Sequence, residues 1–270
     1  MRQLGRVPLE AGRRYDLPAT FGPSLLPDVT RIESVRTISI PFVTKPAALS
    51  ELLPPWFGPA DVATVTVSHL MYDGVDYIAG RGYNVLAVSL AARFPGREVP
   101  IDAPYAVVMW ENLTAPIVAG REFLGHAKIF GEVGDVVEQA ETMAFTCAEF
   151  GTPLVQGEVA SLRPLSATSL GRLNERSATA KVFGWKYIPG RHAPDVDYPT
   201  LVENPVVYRD GWTAVGEVVF CDVSWEEAPI SSRIVAAIRR LPVVSYGRAF
   251  VGVGSAMVPR VTVERLEAPG

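Results

Sequence analysis

The chain has 270 residues, of which 48% are hydrophobic and 20% charged, and its formal net charge is −4. That composition suits a folded chain with a sizeable core, and its weakly acidic balance argues against nucleic acid or an anionic membrane surface as a partner. Two cysteines, Cys147 and Cys221, are too few for a disulfide scaffold and fit a reducing, cytoplasmic setting.

The stretch MRQLGRVPLEAGRRYDLP lacks the apolar centre of a signal peptide. No run approaches the roughly 20 apolar residues of a membrane span, so no membrane partner is expected. Residues 1–30 are rich in Gly, Pro and Arg without periodicity, which reads as an extended arm. VRTISIPFV (35–43) is rich in β-branched residues and reads as a strand. Pro46 suits the first turn of a helix, which Pro54-Pro55 ends. VATVTVSHLMY (62–72) is a second strand, with Asp73-Gly74 as its turn. GRGYNVLAVSLAARF is strand-like from Tyr83. APYAVVMW (103–110) and APIVAG (115–120) read as two strands around a loop at Glu111-Asn112-Leu113, which leaves Glu111 exposed.

Residues 143–162 read as a hairpin turning at Gly151-Thr152-Pro153, with the stretch leading into it also compatible with a helix. SATAKVFGWKYIPG (177–190), NPVVYRD (204–210) and TAVGEVVFCDVSW (213–225) add strands. APISSRIVAAIRRLP (228–242) carries Ile230, Ile234, Ala237, Ile238 and Leu241 on one helical face, stopped by Pro242. AFVGVGSAMV and RVTVERL close the chain as strands. Strands do not alternate regularly with the two or three helices. The expected class is therefore α+β, mainly antiparallel β, with a curled sheet or β-barrel-like core and peripheral helices. One domain over 1–270, with 1–30 as its arm, is the simplest organisation.

Cofactor motifs fail. His69, His126 and His192 form no HxH or HExxH pattern. Gly252-Val253-Gly254-Ser255 fits neither a phosphate loop nor a nucleophile elbow, and GRGYN lacks the third glycine of a dinucleotide fingerprint. We expect no cofactor and no metal.

Lys128 then stands out, one of four lysines in the chain, flanked by Ala127 and Ile129 with Leu124 and Phe130 nearby. A free lysine has a pKa near 10.4, and only its neutral amine attacks a carbonyl. An apolar surround disfavours the ammonium and turns such a lysine into an imine former. A lysine whose stem packs while its head reaches water is the alternative.

GREFLGHAKIFG (120–131) resembles the active-site segment of the acetoacetate decarboxylase family: Gly-Arg-Glu, a short spacer, then Pro-Lys-Lys or a variant. GRGYNVLAV, WKYIPG and LPVVS resemble further family segments in the same order, over about residues 35–266. The resemblance implies Lys128 as the Schiff-base lysine, a small oxo-acid substrate, no cofactor and a homo-oligomer. It implies a substrate-side arginine on an early strand, matched by Arg36, with a solvated strand arginine as the alternative. Tyr83 and Asn84 match the family motif and are expected to line the pocket, with a half-buried strand position as the alternative for Tyr83. Glu122 is a candidate acid or base, or pairs with Arg121 or another arginine to shape the pocket, and Arg121 is a candidate substrate-binding residue. His126 shares a face with Lys128 if the segment is extended, where it would shuttle protons or simply pack.

Three departures stand out. Ile129 replaces the neighbouring lysine, Ala127 replaces the proline, and Val85 replaces the glutamate after Tyr-Asn. The expected activity is decarboxylation of a 3-oxo acid through an imine on Lys128. Two alternatives remain: aldol addition and dehydration of pyruvate-like 2-oxo acids, and a non-catalytic ligand-binding β-barrel.

Overall fold

The computed structural model describes residues 7, 9–16, 18–96, 99–259 and 263–267. In chain order come β1 (Val29–Val43), α1 (Pro46–Ser50), β2 (Gly58–Pro59), β3 (Thr64–Val75), β4 (Arg81–Phe94) and β5 (Ile101–Glu111). Helix α2 (Thr114–Ala119) runs on into a π-helical turn, Gly120–Leu124, and then β6 (Lys128–Phe130). Next are β7 (Glu132–Val133), β8 (Val137–Gln139), β9 (Thr142–Glu149) and β10 (Thr152–Pro164). Helix α3 (Ala167–Ser177), β11 (Lys181–Ile188), β12 (Val196–Glu203) and β13 (Val207–Phe220) follow. Helix α4 (Ser232–Arg239), β14 (Ser245–Tyr246), β15 (Ala249–Pro259) and β16 (Val263–Arg265) complete the described chain.

The strands form one large sheet, in the order β16-β12-β11-β5-β4-β3-β1-β15-β13-β10-β9-β7. Its pairs are antiparallel except β11 with β5 and β5 with β6. The expected α+β class with a curled sheet is what the chain adopts, but the barrel form is not. The ladder ends at β16 and at the two-residue β7. The β7 end instead folds back over β4 and β5 through side chains. Asn84 Nδ2 donates to Val133 O at 3.3 Å and to Asp135 Oδ1 at 2.8 Å, and Asn112 Nδ2 donates to Val133 O at 3.1 Å. The main core lies inside this fold, with Ile38, Val67, Leu86, Phe145 and Val155 buried against α4. Trp110, fully buried, donates from Nε1 to Ser231 Oγ at 3.0 Å and ties β5 to the start of α4.

Three local readings change, and one helix is added. Asp73-Gly74 is not a turn: Gly74, at φ 63°, sits inside β3 where the pairing shifts between Tyr72 and Val75. A glycine in the left-handed region makes such a bulge without cost. Residues 115–120 are helical, not a strand. The reason is topological: Met109 pairs in parallel with Lys128, and parallel neighbours need a crossover that a hairpin cannot supply. Helix α3 lacks buried residues, so no apolar stripe marks it, although the Ser166 side chain caps it by accepting from Ser169 N at 3.2 Å. In α4 the buried stripe is Val235 and Ile238, while Ile230 precedes the helix and is exposed. The 143–162 hairpin is present, with Phe150 and Gly151 both at positive φ.

Candidate active site

The π-helical turn and the stretch after it bring Lys128 back to β5. Gly125, at φ 77°, reverses the chain, and a side chain there would strike the Lys186 backbone nitrogen. Neighbouring strands clamp the reversal: Trp185 N donates to Gly125 O at 2.8 Å, and Thr200 Oγ1 donates to Leu124 O at 2.7 Å. Met109 N then donates to Ala127 O at 2.9 Å, which docks the lysine strand on β5. Arg121 is exposed and donates from Nη1 to Lys128 O at 3.2 Å, so it holds backbone.

The Lys128 side chain is buried. Its Nζ lies 2.8 Å from Glu111 Oε1 and donates to Pro116 O at 3.2 Å. Glu111 is fully buried, and its Oε2 has no partner among the described residues. Sequence reasoning placed Glu111 in an exposed loop; the last residue of β5 is instead the lysine's counter-ion. Burial raises the Glu111 carboxyl above its ordinary range, and the adjacent ammonium pulls it back only in part. His126 is also buried, with Nε2 unpartnered. Burial first, and the Lys128 charge second, depress its pKa to about 3, so the imidazole is neutral at pH 7.

Ladder partners in a sheet project to one face, and a one-residue offset changes the face. Glu111 pairs with Val85, Val85 with Leu70, and Leu70 with Thr37. Tyr83 and Tyr72, two residues along, share that face, with rings 5.0 Å apart. Tyr208 joins them, its hydroxyl 3.3 Å from Thr37 Oγ1. Burial pushes the phenols of Tyr72, Tyr77, Tyr83 and Tyr208 up, Tyr77 to about 12, and Glu111 adds to the rise at the first three. All four tyrosines are half-buried.

Of the expected site residues, Lys128, His126 and Tyr83 therefore gather around Glu111. Arg36 does not: it pairs with Met71, one position out of register with Thr37, and lies on the opposite face. There it bonds Glu138 Oε1 at 2.6 Å. Asn84 shares that opposite face and holds β7. Glu122 is exposed, in a cleft with Arg13, Arg14 and Asp16 of the arm. No spacing in the sequence joins the other tyrosines, because Tyr72 lies on β3, Tyr77 in the 3-10 turn after it and Tyr208 on the distant β13.

The family model for acetoacetate decarboxylase (ADC) matches residues 16–265. The chain belongs to the acetoacetate decarboxylase family. No curated protein matches it. Among solved structures, an acetoacetate decarboxylase from Legionella pneumophila superposes with a TM-score of 0.71 at 19% identity, covering 90% of this chain and 91% of that one. The enduracididine biosynthesis enzyme MppR in complex with pyruvate gives 0.67 at 16% identity, covering 94% and 96%. An acetoacetate decarboxylase-like enzyme from Sphingomonas wittichii RW1 gives 0.65 at 18%, covering 95% and 100%. At these identities the likeness is one of fold.

The family's Gly-Arg-Glu has a steric reason in this chain. A side chain at Gly120 would collide with Lys128 Cδ and Cε and come within 2.9 Å of Nζ. Gly120 has helical φ and ψ, so alanine fits the backbone. Gly120→Ala is expected to displace the ammonium from Glu111 and cut turnover by about 100-fold or more, while the melting temperature changes little. Steady-state rates set beside a thermal melt test this; unchanged turnover would refute the steric role.

Proposed function

We propose that this protein is a Schiff-base lyase that decarboxylates a 3-oxo acid through an imine on Lys128. The observation that carries the reading is a buried lysine held 2.8 Å from a fully buried carboxylate. Burial biases the Glu111 carboxyl toward its protonated form, so it is disposed to take a proton from the adjacent ammonium. The Lys128 ammonium passes a proton to Glu111, and the freed amine attacks the substrate ketone. The protonated Glu111 then gives its proton to the carbinolamine hydroxyl, which leaves as water, and an iminium remains. The C–C bond to the carboxylate breaks, carbon dioxide departs, and its electron pair forms an enamine. Proton return to carbon and attack by water release the ketone and regenerate the amine. Neutral His126 is an acceptor on the same side, suited to relaying that proton rather than holding charge.

Glu111 also gives the departure at Val85 a chemical sense. The two residues are direct cross-strand partners, so a carboxylate on β5 occupies the neighbourhood where the family's glutamate on β4 would lie. A second reading, imine-based aldol chemistry on a 2-oxo acid, gains support from that altered position and from a relative whose structure holds pyruvate.

Borohydride trapping decides between them. The protein is incubated separately with acetoacetate, longer 3-oxo acids and pyruvate, reduced, and examined by intact mass and peptide mapping. A reduced adduct on Lys128 and release of carbon dioxide from a 3-oxo acid are the expected results. Trapping of pyruvate without decarboxylation of any 3-oxo acid would move the assignment to the aldol reading. No adduct with any acid would end the imine reading and favour a ligand-binding protein.

A further inference from the structure

An oxo acid brings its own carboxylate, and Lys128 cannot hold that group while its nitrogen carries the imine. Arg36, expected for this task, faces away and is paired with Glu138. Arg121 is exposed and donates to the backbone. A third arginine stands elsewhere, in the arm that precedes β1. The Arg14 side chain is only 19% exposed, with Nε bonded to Asp16 Oδ1 at 2.6 Å. Its guanidinium lies 4.2 Å from the centre of the Phe123 ring. Among the described residues Nη1 and Nη2 donate to no group, which leaves open the planar fork that matches a carboxylate.

Position links this fork to the reactive lysine. Phe123 belongs to the same π-helical turn as Gly120, across which the Lys128 stem runs. Arg14 and Glu111 both lie within electrostatic reach of Tyr77. A cleft of about 390 Å³ opens beside this guanidinium, between Arg13–Asp16, Leu26, Glu122 and Phe123.

We propose that Arg14 is the residue that binds the substrate's carboxylate, delivered by the N-terminal arm instead of by strand β1. The arm is then part of the binding site, and Asp16 keeps the guanidinium oriented until the acid arrives. Phe123 fixes its plane by stacking. This inference rests on the imine reading above, and the probes separate the two.

The test compares wild type, Arg14→Gln and Arg14→Lys by borohydride trapping over a concentration series of acetoacetate and of acetone, which lacks the carboxylate. Arg14→Gln should raise the acetoacetate concentration for half-trapping by about tenfold or more, as expected for a lost charge-assisted pair. The acetone curve should stay within about twofold, and Arg14→Lys should fall between, since it keeps charge but not the fork. Equal acetoacetate curves for wild type and Arg14→Gln would overturn the assignment. A parallel loss for both probes would overturn it too, in favour of a packing role. If wild type traps neither probe, the imine reading fails and takes this inference with it.

Discussion

Lys128→Ala is expected to bring turnover down to the uncatalysed background, a loss of at least about 10⁴-fold, because the imine that carries the proposed reaction forms on this amine. The same variant tests the energetics of the pair. Removing one partner of a buried ion pair leaves an uncompensated charge, which costs about 3–5 kcal/mol unless the survivor neutralises. Glu111 is already biased toward its protonated form by burial. The loss of stability in Lys128→Ala should therefore be largest at high pH and small in mild acid. Adding Glu111→Gln to Lys128→Met should restore stability and leave activity absent. Denaturant melts of the single and double variants at two pH values read this directly. A double variant as unstable as the single would mean that the pair is not the source of the cost.

Acid is expected to destabilise the fold through His126. Burial, then Lys128, lowers its pKa from 6.5 to about 3. The folded protein thus binds fewer protons here than the unfolded chain between those values. The stabilisation from the neutral ring is complete above about pH 6.5 and is lost as pH falls toward 3. At about 1.4 kcal/mol per unit, the whole limb is worth several kcal/mol. Glu111 acts with the opposite sign. Its raised pKa makes the folded state bind more protons, so its contribution falls as pH rises through that raised value. His126→Phe should flatten the acid limb between pH 6.5 and 3, and Glu111→Gln should steepen it where the two windows overlap. Unfolding free energies measured across that range give both slopes. An acid limb in His126→Phe parallel to that of wild type would place the proton uptake elsewhere.

Much of the sheet was legible because β-branched runs such as VRTISIPFV and VATVTVSHL announce strands wherever they lie. Lys128 was legible for another reason: its apolar neighbours drew notice to it, and the match of GREFLGHAKIFG to the family's active-site segment gave it an expected role. The helix at 114–119 was not legible, because Ile117 and Val118 favour strands locally. Only the parallel pairing of Met109 with Lys128 forces the crossover there. Arg36 shows the limit most clearly. Its strand was correctly read, yet one residue of register separates the Glu111 face from the face that meets Glu138. Period-two alternation makes that single step decisive, and no spacing within the strand reveals which face a distant strand will cover.

The sequence by itself determined much of the strand content and the family, and its motif match singled out Lys128. Those are local properties: side-chain shape, backbone freedom and the order of short motifs. The tertiary structure alone decided the lysine's counter-ion, the tyrosine wall, the failure of the sheet to close and the place of Arg14. Each of these depends on which strands become neighbours. Glu111 lies 17 residues from Lys128 in the chain yet 2.8 Å from it in space, because parallel pairing and a π-helical turn fold the intervening segment out of the way. Burial, which gives that pair its chemistry, is a property of the assembled core, and no residue carries it in isolation.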